Sequence, residues 1–180
     1  MKVLIIYGTT EGQTKKIAET ASKHITAGHN QVDLIDSASL TALPDLSTYD
    51  ALILAASVHQ ERHQDSIINL VLAQRERFTT LPTAFISVSL SAATADGLSA
   101  AEKYVERFTW VTKFQPTKVL LLGGALQYSE YDYFKIEIVK HVVMKNSGTF
   151  EPTGDHEFTD WDALSKFLDE FLAEVQGQSK

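Results

Sequence analysis

Short, almost continuous apolar runs constrain the fold of this chain more than any other feature. The four runs are Val3–Tyr7, Ala51–Ala56, Ala84–Val88 and Val119–Leu122. Strands that are covered on both faces have this pattern, because neither face needs polar side chains. The segment Gln31–Asp36 alternates instead, which predicts an edge strand with one face toward water. The runs therefore predict a mainly parallel sheet.

Apolar residues between these runs recur at helical spacing, which predicts a helix after each strand. The stripes are Ile17, Ala21 and Ile25; Ile67, Ile68, Val71 and Leu72; Tyr104, Val105, Phe108 and Val111; and Leu164, Phe167, Leu168, Phe171, Leu172 and Val175. Thr159 followed by Asp162 resembles a capping box at the start of the last helix. Repeated strand–helix units make right-handed crossovers, so we expect a three-layer α/β sandwich.

Composition narrows the class of protein further. The chain has 180 residues and no cysteine, so any redox chemistry would need a bound cofactor. Its net charge of −7 argues against non-specific nucleic-acid binding. We see no signal peptide and no membrane-spanning run, so a cytoplasmic location is expected. One domain over residues 1–180 is predicted, with an insertion over roughly 124–158, because that segment is too long for a plain loop.

The loop after the first strand, Gly8–Thr14, is the strongest candidate for a ligand site. It places two glycines and three threonine hydroxyls at a helix N-terminus, where backbone N–H groups and the helix dipole favour a phosphate. It lacks the Lys–Ser/Thr pair of a nucleoside-triphosphate loop and the G-x-G-x-x-G of a dinucleotide loop. The alternative is a turn that only caps a helix. Its position after a strand of an open α/β sheet favours a ligand.

Several segments resemble the flavodoxin family. The loop Thr9–Thr14 resembles that family's phosphate loop, T/S-x-T-G-x-T. Within the family, the segments look most like the quinone-linked protoporphyrinogen oxidases, whose loop reads S-T-R-D-G-Q-T. Their P-S-A-F-Y-S-V-N-L, G-A-L-R-Y and T-D-W resemble Pro82–Leu90, Gly124–Tyr128 and Thr159–Trp161.

The resemblance implies a fold, a cofactor and an activity. The fold would be a five-stranded parallel sheet of order 2-1-3-4-5, and the cofactor would be flavin mononucleotide (FMN). The activity would pass electrons from a flat reduced substrate, such as protoporphyrinogen, through FMN to a quinone in haem biosynthesis. No metal is expected, and no catalytic side chain is identified.

The resemblance also implies which residues bind the cofactor. The phosphate would be held by Thr9, Thr10, Glu11, Gly12, Gln13 and Thr14. The flavin ring would contact Ser57, Val58 and His59 in a second loop, Ser89, Leu90 and Ser91 in a third, and Gly124, Ala125, Leu126 and Tyr128.

The sequence departs from the family in aromatic and basic residues. The second and third loops lack Trp, Tyr and Phe, which leaves room for a flat molecule beside the flavin unless Tyr128 or Tyr131 covers it. The oxidases carry Arg where this chain has His59 and Gln127. We expect His59, Arg62 and His63 to replace those cations in part as partners of substrate carboxylates.

Three alternatives stay open. The charge of −7 also suits an electron-transfer flavodoxin that docks on basic proteins, and a flavin-free interaction module is a third function.

The insertion contains a helical apolar stripe. It would pack on its own domain or on a second subunit, as in a homodimer, or it would lie on the inner membrane surface. Asp132 and Glu137 favour packing on protein, because they dilute the basic face that a membrane would attract. The residues of the stripe are Tyr131, Phe134, Ile138, Val142 and Val143. The segment His59–Asp65 is rich in acidic residues and histidine. We interpret it as a polar loop that leads into a helix rather than as a metal site, because it lacks the H-E-x-x-H pattern.

Overall fold

The computed structural model describes residues 1–126 and 156–178. The strands are β1 Lys2–Gly8, β2 Gln31–Asp36, β3 Ala51–His59, β4 Arg62–His63, β5 Thr83–Ser89, β6 Lys118–Gly123, β7 Ala125–Leu126 and β8 His156–Glu157. The helices are α1 Gln13–Ala27, α2 Asp65–Phe78, α3 Leu98–Thr112 and α4 Trp161–Gln178. Short 3-10 turns cover Leu46–Thr48, Ser91–Ala93 and Ala95–Gly97.

The main sheet is parallel and has the order β2-β1-β3-β5-β6. Strand β4 adds an antiparallel pair to the end of β3, and β7 pairs with β8 in a separate two-stranded ladder. Counted without β4, this is the predicted order 2-1-3-4-5, which is therefore confirmed. The predicted edge position of Gln31–Asp36 is also confirmed, since β2 pairs with β1 alone.

Helices cover both faces of the sheet. Successive residues of β1 point to opposite faces, so Ile5 joins one core cluster and Leu4 joins the other. Helices α1 and α4 pack on the first face, and α2 and α3 pack on the second. The three-layer α/β sandwich is thus confirmed, and it explains why the central strands are almost purely apolar.

The predicted helical stripes are right for two helices and partly wrong for the others. All stripe residues of α1 and α4 are buried. In α2, Leu72 is 50% exposed although it was predicted to be in the core. It lies about 100° around the helix from Val71, farther from the centre of the buried face than Ile67, Ile68, Val71 or Phe78. In α3 the fully buried member of the predicted stripe is Phe108.

Two further expectations need correction. Val119 was predicted to be covered on both faces, but β6 is the second edge of the sheet and Val119 is 39% exposed. The predicted capping box at Thr159 is also wrong. The Asp160 carboxylate instead accepts a hydrogen bond of 2.9 Å from the Ala163 N–H, while the Thr159 hydroxyl donates to the Gly123 carbonyl.

Within residues 1–126 and 156–178, no helix is both long enough and apolar enough to cross a bilayer.

Candidate functional site

The predicted ligand loops meet at one end of the sheet. Parallel strands have their carboxyl ends at the same edge, and the register places Gly8 beside Ala56, and Ser57 beside Val88. Ser89 pairs with Gly123, and the Ser89 carbonyl accepts a hydrogen bond from the Gly124 N–H at 3.1 Å. The loops after β1, β3, β5 and β6 are therefore adjacent, as the family resemblance predicted.

The loop after β1 has the geometry of an anion site. Gly12 is the N-cap of α1, with a left-handed φ of 90° that residues with a side chain rarely adopt. Because glycine has no side chain, this N-cap residue makes no side-chain capping hydrogen bond. The Gly12 N–H donates to the Thr9 hydroxyl oxygen at 3.0 Å, so the hydrogen of that hydroxyl is available to another acceptor. The helix N-terminus therefore presents donors for a negatively charged group.

Thr14 carries the clearest sign of a missing partner. Its hydroxyl lies in the first turn of α1 and is buried, with no hydrogen-bond partner in the part of the chain that the structure describes. A buried hydroxyl without a partner is costly, so native proteins rarely keep one unless a ligand or water satisfies it.

The second loop is a two-residue β-hairpin rather than the simple loop-to-helix entry that we expected. Its ladder pairs Val58 with His63 and His59 with Arg62. The turn residues Gln60 and Glu61 have φ of 48° and 61°. Two successive left-handed residues define the turn that fits tight hairpins, and Asn-Gly or Asp-Gly is the usual sequence there. The hairpin brings His59 near the phosphate loop, with 3.6 Å between its Nε2 and Glu11 Oε1.

The third loop is held close to the sheet. The Ser89 hydroxyl accepts a hydrogen bond from the Ala92 N–H at 3.2 Å, and Ser91 and Tyr104 hydroxyls lie 3.1 Å apart. Gly97 packs so tightly on this loop that a Cβ there would lie 2.0 Å from the Ser91 carbonyl oxygen. The predicted residues Ser89, Leu90 and Ser91 are thus fixed by backbone packing.

The segment before α4 contacts the first turns of α1, beside the phosphate loop. The Gln13 side-chain amide donates to the Thr159 hydroxyl at 2.8 Å. Lys16 forms an ion pair with Glu157, which lowers the pKa of that carboxyl, and the Trp161 indole also donates to Glu157 at 2.9 Å. Sequence reasoning missed the Gln13–Thr159 and Lys16–Glu157 contacts, because each joins residues more than 140 positions apart.

Gln64 is a second residue that sequence reasoning missed. Its side-chain nitrogen donates to the hydroxyls of Thr10 and Ser57, at 2.9 Å for Ser57. It therefore links the phosphate loop to the end of β3. No motif signals such a link, since Gln64 only precedes α2 in the sequence.

Comparison with known proteins identifies the family. A family model described as a flavodoxin domain matches residues 4–153. The chain belongs to the flavodoxin family. The flavodoxin of Fusobacterium nucleatum bound to flavin mononucleotide shares this fold, with a TM-score of 0.52 at 13% identity and coverage of 98% of each chain.

Two curated relatives of this flavodoxin-family chain carry the same name, protoporphyrinogen IX dehydrogenase (quinone). The Leishmania major protein is 28% identical over 96% of this chain and 75% of its own length. The Escherichia coli K12 protein is 24% identical over 94% of both chains. The resemblance that the sequence motifs predicted is thereby confirmed.

The site differs from the sequence prediction in which side chains can act as cationic partners of substrate carboxylates. His63 was expected to help bind carboxylates, but it is 3% exposed and its Nε2 lies 2.9 Å from the Ser87 hydroxyl. Burial lowers the pKa of His63 to about 4, so the ring is neutral near pH 7. The expectation was wrong because alternation along β4 turns His63 inward and Arg62 outward. Arg62 pairs with Asp65 at 2.7 Å on the surface.

Some predicted residues lie outside the described part of the chain. These are Tyr128, Gln127 and Tyr131, together with the apolar stripe predicted for the insertion. Ala125 and Leu126 are described, and they pair with Glu157 and His156 in the β7–β8 ladder.

Proposed function

We propose that this chain binds FMN and passes electrons from a flat reduced substrate through the flavin to a quinone, as an oxidoreductase of the protoporphyrinogen dehydrogenase type. The observation that carries the proposal is the buried Thr14 hydroxyl, which has no partner among the described residues, in the first turn of a helix whose N-cap residue is a glycine. The names of the two curated relatives support the substrate and the acceptor.

The residues at the site fit the phosphate of FMN. A phosphate only accepts hydrogen bonds, and the loop offers hydroxyl and backbone donors with a favourable helix dipole. Lys15 and Lys16, the nearest cations in sequence, are engaged with Glu19 and Glu157. The proposed phosphate ligands are Thr9, Thr10, Glu11, Gly12, Gln13 and Thr14. The proposed ring ligands are those predicted in the second loop, in the third loop and after β6.

When bound, FMN supplies two-electron redox chemistry, and the protein supplies position and electrostatics. In each turnover the substrate would lose two hydrogens and one quinone would become a quinol. The loops Ser57–Gln60 and Ser89–Ala92 contain no aromatic residue to cover the ring. This favours a site that admits a flat substrate over one that exposes only a flavin edge to partner proteins.

Arg62 is the proposed partner for substrate carboxylates. It lies at the outer end of the hairpin, half-exposed, and its pair with Asp65 is a surface pair that water screens. An incoming carboxylate can therefore compete for its guanidinium, which binds carboxylates in a bidentate manner. The buried, neutral His63 cannot do so.

The direct test is anaerobic incubation of the FMN-loaded protein with protoporphyrinogen, with and without a menaquinone analogue, followed by porphyrin fluorescence. We expect fluorescence that depends on both flavin and quinone. Arg62→Ala should raise KM for the porphyrinogen, whereas Arg75→Ala, on the exposed face of α2, should not. A signal no greater than that of the flavin-free protein would overturn the oxidase proposal.

An electron-transfer flavodoxin is the second candidate, because the net charge of −7 suits docking on basic proteins. The same preparation separates the two. A stable one-electron flavin state with no reoxidation by the quinone would favour the electron carrier.

A further inference from the structure

Gln64 occupies a position where glutamine is an unusual choice. It is the N-cap of α2, a place that favours the short side chains of Ser, Thr, Asp and Asn. Its side chain makes no capping hydrogen bond to that helix. Its backbone is already engaged, since its N–H donates to the Ser57 carbonyl and its carbonyl accepts from Ile67 and Ile68, each at 3.1 Å. The side chain is therefore free to act elsewhere.

That side chain spans the gap between two ligand loops. Its Nε2 carries two hydrogens, and it contacts two acceptors, Thr10 Oγ1 in the phosphate loop and Ser57 Oγ near the end of β3. Gln64 also lies directly against the end of β1, because a Cβ on Gly8 would lie 3.0 Å from the Gln64 Cβ. The side chain is half-buried, which limits the other conformations it can adopt.

These two hydrogen bonds determine that both hydroxyl oxygens act as acceptors toward Gln64. A hydroxyl oxygen that accepts from an amide keeps its own hydrogen for a different acceptor. Thr10 and Ser57 are thus set as donors, and Thr10 stands in the loop proposed to hold a group that only accepts. An opposite orientation of the amide would make both hydroxyls donate to Gln64 instead, and would leave Thr10 without a hydrogen for the phosphate.

We propose that Gln64 is a positioning residue for the flavin phosphate, acting through Thr10 and tying the phosphate loop to the second flavin loop. This rests on the proposed FMN site. Gln64 itself does not contact the phosphate in this assignment. Its role is to orient a donor and to hold the two loops together before the cofactor binds, which reduces the ordering cost of binding.

The test compares FMN with riboflavin, which lacks the phosphate, on the full-length apoprotein. Gln64→Met keeps the side-chain length and removes both hydrogen bonds. We expect it to weaken FMN binding about tenfold, the size of one or two lost hydrogen bonds, and riboflavin binding less than about threefold. Gln64→Glu, which can only accept, should weaken FMN binding further, because it reverses the Thr10 hydroxyl and adds a negative charge. Dissociation constants come from quenching of flavin fluorescence.

A double-mutant cycle separates positioning from a general structural effect. If Gln64 acts through Thr10, the double variant Thr10→Val/Gln64→Met should bind FMN about as weakly as Thr10→Val alone. Gln74→Met, a substitution of the same kind farther along α2, is the matched control and should leave both flavins unaffected. Thermal unfolding of each apoprotein checks that the variants are folded.

The outcomes distinguish this inference from the proposed function. Wild-type protein that binds no FMN would overturn both. Normal FMN binding by the wild type, together with equal losses for FMN and riboflavin or with additive effects of the two substitutions, would overturn the role of Gln64 alone.

Discussion

At the scale of single residues, the site is defined by groups whose hydrogen-bonding capacity is only partly used. Gly12 caps α1 without a side chain, and the hydroxyls of Thr9 and Thr10 each accept a hydrogen bond and keep a hydrogen to donate. The loop's residue types and its position after a strand predict a phosphate site, which stays a prediction. The Gln64 link was not predictable, because it depends on three segments that meet only in the folded chain.

Replacing Thr14 with valine should separate stability from binding. The change removes a buried hydroxyl with no described partner, so the apoprotein should keep its free energy of unfolding or gain about 1 kcal/mol. FMN binding should weaken at least about tenfold, because a donor to the phosphate is lost. Denaturant unfolding and fluorescence titration measure the two effects.

The matched control is Thr20→Val on the same helix. The Thr20 hydroxyl is bonded to the Lys16 carbonyl on the exposed side of α1, away from the loop, so FMN affinity should not change. A Thr14→Val protein that loses stability while binding FMN normally would contradict the assignment.

At the scale of elements, the prediction was right where the spacing of apolar residues alone determines whether a segment is a strand or a helix. The five strands of the main sheet and the stripe of α4 follow directly from their residue patterns. The β3–β4 hairpin was missed because its turn residues, Gln60 and Glu61, lack the glycine or asparagine that signals left-handed backbone. The exposure of Leu72 and Val119 was missed because hydrophobicity alone does not show how wide a buried stripe is, or which strand forms an edge.

His63 anchors the hairpin to the core and should make stability depend on pH. It packs against the stacked rings of Phe85 and Phe108, with ring centroids 5.1 and 5.4 Å away. Its pKa falls from 6.5 to about 4 on burial, so the unfolded chain binds a proton more readily than the native chain does. Stability is therefore full above pH 6.5 and is lost as the pH falls toward 4, by about 3 kcal/mol for this group.

The measurement is the free energy of unfolding between pH 4 and 7 for the wild type and for His63→Phe/Ser87→Ala, which removes the titrating group and its hydrogen-bond partner together. The double variant should show a shallower slope, because it lacks the buried His63, whereas the other five histidines and the carboxylates are the same in both proteins. Identical slopes would show that His63 does not contribute.

The third loop should depend on the close approach at Gly97. Gly97→Ala places a methyl group against the Ser91 carbonyl, and overpacking of backbone should cost about 2–3 kcal/mol. Gly177→Ala in α4 is the control, since nothing lies within 4 Å of its Cβ, and it should stabilise by up to about 1 kcal/mol. Thermal unfolding compares the two, and equal effects would contradict a tight third loop.

At the scale of the whole molecule, the parallel order of the sheet brings four separate loops to one edge, and the chain's net charge of −7 gives it a negative overall field. The fold was predictable because alternating strands and helices allow few right-handed arrangements. The field's role depends on the partner, since it attracts basic proteins and is indifferent to an uncharged quinone.

The rate of flavin reoxidation should depend on salt differently for an uncharged quinone and for a basic protein. Reoxidation of the reduced protein by an uncharged menaquinone analogue should change less than about twofold between about 0.05 and 0.5 M salt. Reoxidation by a basic haem protein such as cytochrome c should fall at least about tenfold over that range, because screening removes the attraction. Stopped-flow absorbance of the flavin measures both rates, and a quinone reaction as salt-sensitive as the protein reaction would contradict this expectation.

The β7–β8 ladder has a consequence for how this protein can vary. Leu126 and His156 are directly paired, so the two described residues that flank segment 127–155 lie side by side. Closing a loop costs little more when the loop is longer, so chain length between these anchors is nearly neutral for the sheet. Related chains can therefore differ in the length of this segment while the strands of the main sheet keep their register.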